Sequence, residues 1–277
     1  MKKILVLLTM CFCAVCIASA KKVAFPKVDQ KGNIAIVAHR GYWNCEAAGF
    51  CENSIASLKA AQNLGLWGSE CDIHLTSDGE IIVNHNPDIE GHKISECTFD
   101  FLSQFKLPNG ERRPTFDEYL DQTAKAPATM LIIELKKQPT KDMEARLVRT
   151  TVKKLKAHKL YRPDRVLFIS FSPFMCELIA KKCPKFINQF LTSDKKKDMS
   201  PAQWAQKGIN GIDYQYPLFQ MHNDWVKAAR DLGMSVNSWT VNETSDINDM
   251  ISLGVDAITT NEPERVRALL GEKEYKN

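Results

Sequence analysis

Eight short runs rich in β-branched and aromatic residues recur along the chain, and longer stretches with helically spaced apolar residues separate most of them. Such alternation is the pattern of parallel strands joined by crossover helices, because parallel neighbours need a connection of a dozen or more residues. The runs predict strands over Ile34–His39, Ser69–Leu75, Met130–Lys136, Val166–Phe171, Ile187–Thr192, Gly208–Asp213, Met234–Val241 and Val255–Thr260. Helices are expected over Ser54–Leu64, Thr140–His158, Phe174–Lys182, Pro201–Gln206, His222–Leu232, Thr244–Leu253 and Pro263–Leu270, where Ser, Asp or Pro stands near the starts. Eight strands suit a closed (β/α)8 TIM barrel. The competing architecture, an open doubly wound sheet, usually carries a glycine-rich phosphate loop after its first strand, and neither GxGxxG nor GxxxxGK[ST] occurs here. Residues 86–129 exceed what one connection needs and contain a second short strand pair. A small excursion over the barrel mouth after strand two is therefore expected.

The first twenty residues stand apart. Lys2 and Lys3 precede an apolar core, and Ala18-Ser19-Ala20 follows with the small-x-small spacing that signal peptidase cuts. Residues 1–20 are read as a signal peptide and residues 21–277 as the barrel domain, which places the mature protein outside the cytoplasm, periplasmic or secreted. The apolar run falls short of the about 20 residues that a bilayer requires, and no later stretch replaces it. Lipid attachment at Cys16 needs a small residue before the cysteine, whereas the chain reads Ala14-Val15-Cys16. No stable membrane anchor is expected.

The leader holds two lysines and no acid, so the net charge of +4 falls to +2 in the mature chain. Without a basic block, nucleic-acid binding has no support. With 44% hydrophobic and 25% charged residues, the chain is composed as an ordinary globular protein. Beyond the leader stand Cys45, Cys51, Cys71, Cys97, Cys176 and Cys183, an even set that allows disulfides in an exported protein or free and buried thiols. Oligomeric state is left open by the sequence.

Chemistry in such a barrel sits at the C-terminal strand ends and the loops beyond them. The polar residues that interrupt core strands fall there. His39-Arg40-Gly41 closes strand one, Glu70 and Asp72 lie in strand two, His85 follows Ile81-Ile82-Val83-Asn84, and Glu134 and Lys136 end strand three. Strand side chains alternate, so Glu70 shares a face with Asp72, and Glu134 with Lys136. Three converging carboxylates repel unless a cation neutralises them, and an all-oxygen set suits Mg2+ or Ca2+ rather than zinc. Two histidines beside such a metal make an acid and base pair for phosphoryl transfer. Arg40 and Lys136 supply positive charge for a phosphodiester in its transition state. His74 shares the face of Glu70 and Asp72 and is read as a packed or hydrogen-bonded structural residue, while His92, His158 and His222 read as loop or helix-surface positions. Lys195, Lys196 and Lys197 read as a solvated loop.

HRG (39–41), ENS (52–54), GSECDIHLTSDGEIIVNH (68–85), IIELK (132–136), SWTVN (238–242) and ITTNEP (258–263) follow one another in order. Together they resemble the glycerophosphodiester phosphodiesterase family across nearly the whole mature chain. The resemblance implies a (β/α)8 barrel in which His39 and His85 are the catalytic acid and base, Glu70, Asp72 and Glu134 hold a divalent cation, and Arg40, Lys136 and Trp239 bind substrate. It implies release of an alcohol and glycerol 3-phosphate, with a substrate hydroxyl attacking phosphorus to give a cyclic phosphate before water completes hydrolysis. Two departures bear on substrate choice: Asn86 stands where the family commonly has Asp, and YWNCEAAGFC lengthens the stretch between HRG and EN. The alternatives are a phospholipase-like barrel acting on lysolipid or inositol lipid, and a catalytically silent ligand-binding barrel. The polar stretch Pro87–Ser95 speaks against the first, and the retention of both histidines and all three acids against the second.

Overall fold

The computed structural model describes residues 34–194 and 200–271. The leader expected over residues 1–20 and the lysines at 195–197 lie outside them.

Eight strands are parallel to their neighbours: β1 (Ala35–Ala38), β2 (Gly68–Leu75), β3 (Met130–Leu135), β4 (Val166–Ser170), β5 (Asn188–Thr192), β6 (Gly211–Gln215), β7 (Ser235–Trp239) and β8 (Ala257–Thr260). The sheet closes where β8 returns to β1, with Ala35 opposite Ala257, while β1 pairs on its other side with β2. Closure leaves none of the eight as an open edge. This is the (β/α)8 barrel that the strand count implies.

Alternation along each strand separates two cores. Inward-facing Val37, Ile132, Leu167, Ile187, Leu191 and Ala257 fill the barrel. Outward-facing residues such as Cys71, Ile73, Ile133 and Phe168 pack on the helical layer, as do Ile212 and Val236 on the far side. Room inside is scarce. A Cβ on Gly68 would lie 2.5 Å from Ile132 Cδ1, and one on Gly211 would lie 2.2 Å from Ser235 Oγ.

The connection after β2 holds more than a strand pair. Ile81–Val83 runs antiparallel to the end of β2, with Val83 opposite Ile73, and a hairpin of Asp88–Ile89 with His92–Lys93 follows. Ile82, Ile89, Ile94, Phe99 and Leu102 give this excursion its own small core. The sequence reading did not anticipate the helix Phe116–Lys125, which completes the crossover to β3. Its signal is a capping box: Thr115 Oγ1 accepts from the Glu118 N–H, and the Glu118 carboxylate accepts from the Thr115 N–H.

Strand six is displaced from its expected span by two to three residues. Gly208 has φ +77° and closes the turn after the helix Pro201–Gln206, so Gly208–Asn210 cannot begin a strand. The helix expected over His222–Leu232 is present as Trp225–Asp231, and a short helix that the sequence reading did not anticipate, Tyr216–Met221, precedes it, ending where the backbone at His222 leaves the helical region. The six cysteines among the described residues are free thiols, Cys45 and Cys51 included. Among the described residues, no helix is long and apolar enough to cross a membrane.

Candidate active site

Two consecutive left-handed residues shape the turn that leaves β1, Arg40 at φ +57° and Gly41 at φ +77°. A side chain at 41 is excluded, since its Cβ would lie 2.3 Å from Ser57 Oγ. The turn points backbone donors at β2: the Arg40 N–H reaches Glu70 Oε2 at 2.7 Å, and the Gly41 N–H reaches the Glu70 carbonyl at 3.0 Å. His39 is held on the barrel by its N–H to the Thr260 carbonyl.

Register brings the acids together. Asp72 of β2 lies directly opposite Glu134 of β3, and Glu70 stands two residues before Asp72 on the same face. Glu70, Asp72 and Glu134 are buried, and one carboxylate oxygen from each lies within 4.8 Å of the other two. Lys136 Nζ lies 2.8 Å from Glu134 Oε1 and 3.2 Å from Asp72 Oδ1, and Arg40 Nε lies 3.8 Å from Asp72 Oδ2. Arg40 is shared, because its Nη1 also donates to Glu52 Oε2 at 2.6 Å.

The three acids titrate differently. Burial pushes Glu70 well above the usual carboxylate range, and the charges of Asp72 and Glu134 push it further. Burial and Asp72 likewise raise Glu134, to about 8. Asp72 is also opposed by burial, yet Lys136, His85, the Asn53 amide and Arg40 together hold it below its ordinary value. Two buried acids are thus pushed toward their protonated forms in spite of Arg40 and Lys136, and Glu70 Oε1 has no hydrogen-bond partner. An all-oxygen set with an unpartnered carboxylate oxygen fits a hard divalent cation, which would replace those protons.

Asn53 fixes the central acid from both ends. Its Nδ2 donates to Asp72 Oδ2 at 2.8 Å, and its Oδ1 accepts from the Asp72 N–H at 3.1 Å. Asn53 itself adopts φ +54°, a conformation that asparagine tolerates better than most residues.

His39 and His85 face the same space from different sides. His39 Nδ1 lies 2.8 Å from Asn261 Oδ1, and Trp43 Nε1 lies 3.2 Å from the same oxygen. Burial, aided by Arg40, depresses the imidazole of His39 to about 4, against the raising effect of Asn261. His85 Nδ1 pairs with Asn86 Oδ1 at 2.9 Å. Burial lowers its pKa too, while Asp72 acts in the opposite direction. His74 is buried, and its Nε2 meets the His85 carbonyl at 3.3 Å.

Two hollows meet at His85. A deep cavity of about 90 Å³ is lined by His39, Arg40, Glu70, His85, Glu134 and Lys136 on one side, with Phe171, Asp213 and Trp239 on the other. An outer groove of about 400 Å³ runs from His85 past Trp43, Phe50, Glu52 and Asp88 beneath the excursion.

The sequence model of the Glycerophosphoryl diester phosphodiesterase family matches residues 39–265. This chain belongs to that family. A glycerophosphodiester phosphodiesterase of Caldanaerobacter subterraneus subsp. tengcongensis is 26% identical over 247 residues, covering 83% of this chain and 94% of that one. The crystal structure of a glycerophosphodiester phosphodiesterase from Parabacteroides distasonis superposes with a TM-score of 0.82 at 39% identity, over 86% of this chain and 97% of that one. A phosphodiesterase of Oleispira antarctica, solved with the product sn-glycerol-3-phosphate, shares the fold with a TM-score of 0.73 at 22% identity, over 86% of this chain and 96% of that one.

Every candidate residue of this glycerophosphoryl diester phosphodiesterase family member lies in one region at the C-terminal barrel end. His39, Arg40, Glu70, His85, Glu134, Lys136 and Trp239 line the deep cavity, and Asp72 lies among the acids beside it. Sequence reasoning missed the roles of Asn53 and Asn261, although both stand in quoted motifs, and missed Phe171 and Asp213 altogether.

Proposed function

We propose that this glycerophosphoryl diester phosphodiesterase family member hydrolyses glycerophosphodiesters to an alcohol and glycerol 3-phosphate, with His39 and His85 as its base and acid. The observation that carries the reading is the meeting of His39, His85, Arg40, Lys136, Glu70 and Glu134 on one cavity at the catalytic end of the barrel, with Asp72 beside it.

Glu70, Asp72 and Glu134 would hold a divalent cation, and their oxygen donors favour Mg2+ or Ca2+. When bound, such a cation supplies charge that polarises the phosphodiester. Arg40 and Lys136 orient the phosphate and offset the charge that its oxygens gain. Trp239 and Phe171, packed edge to face at 5.5 Å, provide an apolar wall for carbon atoms.

The two hollows divide the substrate. The deeper, smaller one takes the glycerol moiety, and the outer groove takes the leaving alcohol. His39 lines only the deep cavity and holds its proton on Nδ1, so its Nε2 accepts a proton from the attacking glycerol hydroxyl. A bond then forms from that oxygen to phosphorus, and the bond from phosphorus to the leaving oxygen breaks. His85 lines both hollows, and Asp72 supports its protonated form against burial; it protonates the departing alkoxide. Water opens the cyclic phosphate with the two roles reversed. Release of glycerol 3-phosphate from glycerophosphocholine, glycerophosphoethanolamine and glycerophosphoinositol, with and without chelator, tests the reading. Absence of release from all three in the presence of Mg2+ and Ca2+ contradicts it.

Export rests on the leader alone: Lys2, Lys3, the apolar run and Ala18-Ser19-Ala20. Mass spectrometry of the exported protein is expected to find Lys21 at the N-terminus, and a retained leader or a lipid on Cys16 contradicts this.

A further inference from the structure

Asp213 sits in the middle of β6, across the barrel from the acids of β2, and lines the deep cavity with Phe171, Leu191 and Trp239. It is only 1% exposed. Asn237 bonds one side of the carboxyl, while Oδ1 is buried without any partner. The neighbours leave nothing to satisfy it: the Asn237 amide also donates to Thr259 Oγ1 at 2.8 Å, Gln189 is turned to Ser235 Oγ at 3.0 Å, and the Trp239 indole N–H goes to the Asp213 backbone carbonyl. An unsatisfied polar atom in a barrel core is costly and uncommon in native proteins. Here it belongs to a residue that lines the cavity.

Burial raises Asp213 to about 8, against the lowering effect of Asn237. Burial thus favours the neutral carboxyl, which has a donor and an acceptor to offer. That chemistry matches a hydroxyl rather than a phosphate, whose counter-charges Arg40 and Lys136 stand on the other side of the cavity.

We propose that the Asp213 carboxyl binds the hydroxyl of the glycerol moiety farthest from phosphorus, at C1, and so selects glycerol over shorter diols. The inference rests on the glycerophosphodiester reading above and deepens it. With the vicinal C2 hydroxyl committed to attack, C1 is the remaining polar end of the glycerol unit, and the apolar wall of Phe171 and Trp239 receives the carbon chain between them. Asp213 is a specificity residue in this account and takes no part in proton transfer.

The test compares 4-nitrophenyl diesters of glycerol 3-phosphate and of 2-hydroxyethyl phosphate. Both carry the vicinal hydroxyl, and only the first carries the distal one. The wild type is expected to favour the glycerol ester by about tenfold or more in kcat/KM, the equivalent of one hydrogen bond. Asp213→Ala is expected to bring the ratio close to one by slowing the glycerol ester alone, while Asp213→Asn, which keeps a donor and an acceptor, retains most of the preference. A wild type without preference overturns the assignment, as does an alanine variant that slows both esters equally, which is what a structural role would give. Calorimetric binding of glycerol 3-phosphate against 2-hydroxyethyl phosphate, by cation-loaded wild type and by Asp213→Ala, requires no turnover. Tighter binding of the former by the wild type that is lost in the variant supports the assignment; equal affinity in the wild type, which needs no folded variant, overturns it, as does a preference that the variant keeps. Should neither ester be hydrolysed, the glycerophosphodiesterase reading fails, and the comparison of wild type with variant still decides the role of Asp213.

Discussion

Asn261 Oδ1 lies 2.8 Å from His39 Nδ1 and fixes which ring nitrogen carries the proton. Trp43 Nε1 contacts the same atom at 3.2 Å, and an indole N–H can only donate, so the shared atom is the amide oxygen. His39 must then donate from Nδ1, leaving the Nε2 lone pair for substrate.

Replacing Asn261 by Leu is expected to lower kcat by roughly tenfold or more, part of the about 10²–10⁴-fold that a positioned base contributes. Asn261→Asp separates orientation from charge. A carboxylate at this position stabilises the imidazolium, so the His39 pKa rises from about 4 and the acid limb of the kcat/KM profile moves to higher pH. Unchanged pH–rate profiles in both variants, at saturating cation, contradict the assignment.

The acid cluster links cation binding to pH. Glu134 titrates near 8 in the folded chain, above its ordinary 4.5, so its protonated form stabilises the cation-free fold at low pH. That contribution is lost as pH rises from 4.5 through 8. A divalent cation needs the ionised form and displaces the proton, so its effect on Tm is expected to be larger at pH 8 than at pH 5.5. Thermal unfolding with Mg2+, with Ca2+ and with chelator at the two pH values gives the answer. A shift in Tm that is equal at both contradicts the site.

Asn53→Ala removes both bonds to Asp72 and leaves a buried carboxylate oxygen and a buried N–H short of partners, at about 1–3 kcal/mol for each. It also places Ala at φ +54°. Expected results are a Tm lowered by several degrees and a cation half-saturation raised about 10- to 100-fold, as for other residues that orient metal ligands. Cation titrations followed by activity and by thermal shift check both.

Much of this site was legible because strand alternation does the geometry: Glu70 with Asp72 and Glu134 with Lys136 share faces by counting alone, and closure of the barrel brings the faces together. Asn261 was beyond that reasoning, since it meets His39 across 222 positions and only the pairing of β8 with β1 makes them neighbours. Asn53 was hidden for another reason: its role depends on a left-handed turn that no periodicity reports. Asp213 closes strand six as read from Gly208, but no sequence motif ties that lone acid to those of strands two and three; closure of the barrel sets it across the cavity from them. The helix Phe116–Lys125 had its capping box in plain view at Thr115 and Glu118, but the strand pair before it drew the whole connection into one excursion.

The account stands or falls on the two histidines. Turnover of glycerophosphocholine and of the 4-nitrophenyl diester of glycerol 3-phosphate by His39→Ala and His85→Ala, at saturating cation, tests it most directly. Both variants are expected to lose about 10²–10⁴-fold on glycerophosphocholine. On the nitrophenyl ester, whose leaving group needs no acid, His85→Ala recovers and His39→Ala stays slow. Near wild-type rates of both variants on glycerophosphocholine would contradict the account.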